Sequence, residues 1–91
     1  MKNRYKAMNQ NSLIPKLKTG QRSVVFAEIN TGILLTFRGE RYTGQAACYR
    51  IFNSESEAIA FARVYIGQHP KTECSIRDEE GKHLQFIRNE R

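Results

Sequence analysis

The first 22 residues of this chain contain no acidic side chain. They hold Lys2, Arg4, Lys6, Lys16, Lys18 and Arg22, whereas residues 23–91 hold nine basic and nine acidic side chains. The net charge of +6 is therefore a property of an N-terminal arm, and the body is formally neutral. A basic arm on a neutral body places different demands on a partner than an evenly basic domain does.

Other absences narrow the field. No apolar run approaches the roughly 18 residues that a membrane span needs, so no membrane partner is expected. The early basic residues are not followed by an apolar stretch, so a secretory signal is not expected. Asn9-Gln10-Asn11 and Pro15 interrupt any amphipathic helix there, which argues against a mitochondrial presequence. Only Cys48 and Cys74 could form a disulfide. Both sit in apolar strand patterns, where cysteine serves as a small hydrophobe. Two cysteines without a secretion signal fit a reducing compartment, and a cytoplasmic location follows.

Groups that carry chemistry are equally scarce. No cysteine pair has zinc-ligand spacing, and the only histidines, His69 and His83, belong to no metal motif. No glycine-rich run has the spacing of a phosphate-binding loop, so no cofactor is expected. The single aspartate, Asp78, lies beside a turn opposite Lys82, and Glu79-Glu80 reads as a solvated turn. A Cys–His nucleophile would need Cys48 or Cys74 beside His83, and the strand pattern turns Cys74 and His83 to opposite faces. Catalysis requires a nucleophile, a base and a pocket together, so a non-enzymatic protein is expected, with no small-molecule substrate evident.

What is present describes one small domain. Ninety-one residues bury only about 60% of their unfolded surface, which leaves a single modest core. Residues 1–22 read as a flexible arm, and residues 23–91 read as an α+β domain. Its expected architecture is an antiparallel sheet of four to five strands against a single helix, in the order β-β-β-α-β-β.

The first two strands, Val24 to Ile29 and Ile33 to Phe37, flank Asn30-Thr31-Gly32. A three-residue loop ending in glycine pairs Ile29 with Ile33, Ala27 with Leu35, and Val25 with Phe37. Those six then share one face, and Val24, Phe26 and Leu34 lie on the other. A third strand spans Gln45 to Phe52, with Ala47, Tyr49 and Ile51 inward. Ser54-Glu55-Ser56-Glu57 is a capping box that opens a helix over Glu55 to Gly67. Its apolar stripe comprises Ala58, Ile59, Phe61, Ala62, Tyr65 and Ile66. A second hairpin, Thr72 to Asp78 with Lys82 to Arg88, pairs Ile76 with Leu84 and Cys74 with Phe86, all four inward.

Two positive features bear on function. The arm can contact phosphates, and neutralising about six of them gives a log–log salt slope near −5 on duplex DNA. Aromatic residues also stand near arginines, and sheets that bind single strands combine the two. The expected nucleic-acid surface is Lys2, Arg4, Lys6, Lys16, Lys18, Arg22, Phe26, Arg38, Arg41, Tyr42 and Arg50. The alternative is a protein-interaction module or homodimer that uses Val24, Phe26 and Leu34 as its interface. The Leu13 to Leu17 segment could instead fold over those three residues.

Overall fold

The computed structural model describes residues 16–44 and 47–89. The elements are β1 (Arg22–Glu28), β2 (Leu34–Leu35), β3 (Tyr49–Phe52), α1 (Glu55–Gln68), β4 (Thr72–Arg77) and β5 (His83–Arg88). The fold is α+β, a five-stranded sheet with one helix, in the expected order. Every pairing is antiparallel. β1 is the central strand. One edge of it is shared end to end by β3 and β2, and its other edge pairs with β4, which pairs with β5.

β1 is central because its Ser23-Val24-Val25-Phe26 run is buried on both faces. A strand covered on both sides reads as a continuous apolar run, without the alternation that marks a half-solvated one. Val24 and Phe26 face α1, together with Leu35, Cys74 and Ile76. The helix answers with Ala58, Ala62 and Tyr65, and Phe52, Ile59, Phe61, Ile66 and Ile87 flank this core. The helix start agrees with the capping box. Ser54 accepts from the Glu57 N–H at 3.2 Å, and Glu57 accepts from the Asn53 N–H at 3.2 Å. The helix runs one residue past Gly67, and the His69 N–H closes on the Tyr65 carbonyl just before Pro70.

The first hairpin corrects the expected register by one residue. Phe26 pairs with Leu35 and Ala27 with Leu34, and the Glu28 N–H meets the Ile33 carbonyl at 2.9 Å. The loop therefore has four residues, Ile29 to Gly32, instead of three. The Ile29 N–H is taken from across the sheet by the Lys71 carbonyl at 2.9 Å, so it cannot close the smaller loop. Thr31 holds the larger one, since its hydroxyl donates to Glu28 at 2.6 Å and accepts from the Ile33 N–H at 3.1 Å. A slip of one residue turns every side chain over. Leu35 consequently joins Val24 and Phe26 on the helix side, where those two are wholly buried, and Val25, Ala27 and Leu34 lie on the opposite face, with Val25 buried there too.

Two further parities are corrected. β3 is shorter than expected and places Phe52, not Tyr49 or Ile51, on the helix side, because Phe52 pairs with Arg22 and Arg50 with Val24. In the second hairpin, Asp78 and Lys82 pair as expected, and Arg77 faces His83. A bulge then inserts Leu84, so Ile76 faces Gln85 and Cys74 faces Ile87. Two residues on the bulged strand oppose one on its partner, which reverses the faces beyond it. Ile87 packs against the core, and Phe86 is left 50% exposed.

Candidate nucleic-acid interface

The edge where β2 and β3 meet collects the arginines. After Leu35 the chain turns tightly about Thr36. Its N–H donates to the Glu40 carbonyl at 2.7 Å, and its hydroxyl accepts from the N–H groups of Arg38 and Glu40. The Gly39 N–H returns to the Thr36 carbonyl at 2.9 Å with φ of +90°, a conformation that suits glycine. Arg41 then bridges back to Leu35, and the Tyr42 N–H binds the Leu34 carbonyl. Phe37 and Arg38 are held at the tip of this turn, both exposed.

Arg50 reaches the same tip from β3. Its guanidinium lies 5.2 Å from the ring centre of Phe61, 5.5 Å from Phe37 and 5.9 Å from Phe52. The Arg38 guanidinium lies 5.9 Å from the other neighbour of that stack, the Phe37 ring. Phe61 continues the stack inward, 5.0 Å from Phe52 and 6.2 Å edge-on from Phe26. The Arg50 guanidinium thus links the core rings Phe26, Phe61 and Phe52 to the surface ring Phe37, which Arg38 also approaches. Each cation–π contact at such an exposed site contributes about 0.5–1 kcal/mol, which orients Arg50 without neutralising it. The ion pairs among the described residues are Arg22 with Glu55 and Glu79, and Arg88 with Glu73. Arg38, Arg41 and Arg50 enter none of them. Glu40 is the one acid of the Thr36 to Arg41 turn.

The remaining residues of the expected surface fall elsewhere. Lys2, Arg4 and Lys6 lie outside the described residues, and Lys16 and Lys18 are exposed. Arg22 is not a free arm cation. It begins β1 and sits 3.4 Å from both Glu55 and Glu79. The residues before it are tied to the body, with the Gly20 N–H on Glu79 at 2.8 Å and Gln21 on Asn53 at 3.2 Å. These contacts hold the Glu79 carboxyl below its ordinary range, first through the Gly20 N–H and further through Arg22. Asp78 is lowered likewise, mainly by the backbone N–H of Lys82. Phe26 is wholly buried, so it offers no ring to a base, and Val24 is wholly buried too. Neither can form the exposed interface expected of the hairpin, because α1 covers that face of β1 with Ala58, Ala62 and Tyr65. Leu34 alone of that trio stays on the open face, half-buried, and Tyr42 is half-buried.

Sequence reasoning missed Phe37 as a site residue because the shorter loop paired it with Val25. The missed signal is local: Thr36-Phe37-Arg38-Gly39 places a turn where a strand was expected. It also missed a contact between Ser75 Oγ and His83 Nδ1, 2.8 Å apart on the open face. Ser75 is 5% exposed and no described carboxylate hydrogen-bonds to the ring, so the pair stands alone. Burial pushes the Cys74 thiol up to about 12 and raises Cys48 too, which keeps both protonated at neutral pH. Both are free and buried. No group of three metal-ligating side chains occurs among the described residues. No helix there is long and apolar enough to cross a membrane.

Comparison of the chain with protein-family models, with curated proteins and with solved structures gave no match.

Proposed function

We propose that the protein is a small non-enzymatic nucleic-acid-binding domain whose contact surface is the β2–β3 edge. One observation carries this reading. The Phe37 ring is 39% exposed, with the guanidiniums of Arg38 and Arg50 at 5.9 and 5.5 Å from its centre. An exposed aromatic face accepts an unpaired base, and flanking arginines accept the phosphates on either side. Arg41, on the same turn, and the arm cations Lys2, Arg4, Lys6, Lys16 and Lys18 extend the positive field. The two buried, unbonded cysteines support a reducing compartment, in keeping with a cytoplasmic role.

Fluorescence titration of the full chain with single-stranded and duplex oligonucleotides, across a range of salt, tests the proposal. Binding is expected to favour the single strand and to weaken with salt. Removing residues 1–15 deletes Lys2, Arg4 and Lys6 and is expected to lower the log–log slope by about 2 on a single strand. Phe37→Ala is expected to weaken binding by about 1–3 kcal/mol. Absence of binding at low salt, or binding indifferent to Phe37 and Arg50, would overturn the proposal.

A further inference from the structure

Phe61, Tyr65 and the capping residue His69 follow one another at intervals of four, so they share one edge of α1. Their rings form a row. The centres of Phe61 and Tyr65 are 5.8 Å apart, and Tyr65 and His69 stack at 4.3 Å with 27° between planes. The Thr36 to Arg41 turn lies against this row. A Cβ added at Gly39 would stand 3.5 Å from His69 Nδ1 and 3.7 Å from Tyr65 Oη, so the absent side chain leaves these two polar atoms without a cover from the turn. The Tyr65 hydroxyl is buried and has no hydrogen-bond partner among the described residues. A cavity of about 340 Å³ opens here, lined by Gly39, Gln68, His69, Pro70, Lys71 and Thr72.

The turn joins this cavity to the Phe37 site. Phe37 and Gly39 are two residues apart in the chain, so their Cα atoms are separated by no more than about 7 Å. A single strand that follows the helix edge away from Phe37 brings its neighbouring nucleotide to the cavity. The volume lies in the range that takes small ligands, and histidine is one of the rings on which unpaired bases stack. Tyr65 backs the His69 ring and fixes its plane. Charge is mixed here. Arg38, Arg41 and Lys71 stand against Glu40 on the turn and Glu28, which pairs with Thr72 across the sheet and accepts from the Thr31 hydroxyl at 2.6 Å. The ring and its nearness to Phe37 are what fit a base. A duplex does not meet them, because its bases are already stacked on one another.

We infer that the His69 cavity holds the base next to the one on Phe37, so that two rings grip one strand with the bare backbone of Gly39 between them. Lys71, exposed and in no ion pair among the described residues, meets the passing phosphate. This rests on the nucleic-acid reading of Phe37 and adds to it the course of the strand, along the α1 edge from Arg50 toward Lys71.

The test uses the full chain, a single strand of about six thymidine nucleotides, and thymidine monophosphate at the same nucleotide concentration. Proton NMR of the two histidine rings reads the contact. A stacked base is expected to move the His69 ring protons upfield, while His83, on the sheet face away from α1, stays in place as the reference. His69→Ala is expected to weaken binding of the strand roughly tenfold, and His69→Phe, which keeps a ring, to retain it. The cap of α1 uses the backbone N–H of residue 69, which both variants keep. Suppose the strand binds and Phe37→Ala weakens it, but the His69 protons stay still and His69→Ala binds like the unaltered chain. The cavity is then no base site, and the Phe37 site stands. Absence of strand binding at low salt overturns both. A His69 shift produced as strongly by thymidine monophosphate makes the cavity a site for free nucleotides and overturns the strand's course.

Discussion

Replacing Phe26 by alanine tests the register on which both the core and the site depend. Phe26 is fully buried, tilted 4.6 Å from the Tyr65 ring and 6.2 Å edge-on from Phe61, between Leu35 on one strand and Cys74 on the other. Removing such a ring forfeits its transfer free energy and leaves a cavity that a packed sheet–helix interface cannot close, a loss of about 3–5 kcal/mol. A domain of this size is stable by only about 5–10 kcal/mol, so the variant stands near the edge of folding. Its melting temperature is expected to fall by roughly 15 °C or more. Phe37→Ala is the companion measurement. That ring is 39% exposed, so its truncation is expected to cost about 1 kcal/mol. Urea titration followed by circular dichroism gives both midpoints, with a constant slope confirming that stability alone has changed. If Phe26→Ala proves mild and Phe37→Ala severe, the hairpin closes through the three-residue loop and the reasoning fails.

Ile87→Ala is expected to cost about 2 kcal/mol and Phe86→Ala less than about 1, because the bulge sends the first residue to the core and the second to the surface; reversed costs in urea titration would remove the bulge. The Asp78 and Glu79 carboxyls are held below their ordinary range. The unfolded chain therefore takes up these protons first, so the stabilisation is complete above about pH 4.5 and is lost as pH falls through the lowered values. Urea midpoints measured from pH 6 to 2 should show that loss, and Asp78→Asn should shrink it. The Cys74 thiol, pushed up to about 12, has the opposite sign. The unfolded thiol ionises near pH 8.5–9, so stability is complete below that and declines as pH rises toward the folded value. A thiol reagent at pH 8 should leave Cys48 and Cys74 unmodified until urea unfolds the chain, and prompt reaction of the native protein would contradict their burial.

The site was legible in part. Arg38, Arg41 and Arg50 were found from their aromatic neighbours, and the structure brings Arg38 and Arg50 to one ring. That ring is Phe37 and not Phe26, since α1 covers Phe26 while the turn at Thr36 leaves Phe37 at the surface. Arg22 was read as part of a free arm because charge is visible in a sequence and its neutralisation is not. Glu55 and Glu79 reach it from elements 33 and 57 residues away.

The sequence by itself determined the order of the elements and the start of the helix. Those depend on neighbours along the chain: Ser54 on Glu57, the i, i+4 stripe of Ala58 and Ala62, and glycine at the turns. Tertiary structure alone decided which face of each strand is inside. Loop size and bulge position were settled by partners across the sheet, the Lys71 carbonyl that takes the Ile29 N–H and the helix that prefers Ile87 beneath it. Strand residues alternate between faces with a period of two, so one such distant contact outweighs the local turn signal and reassigns every side chain after it.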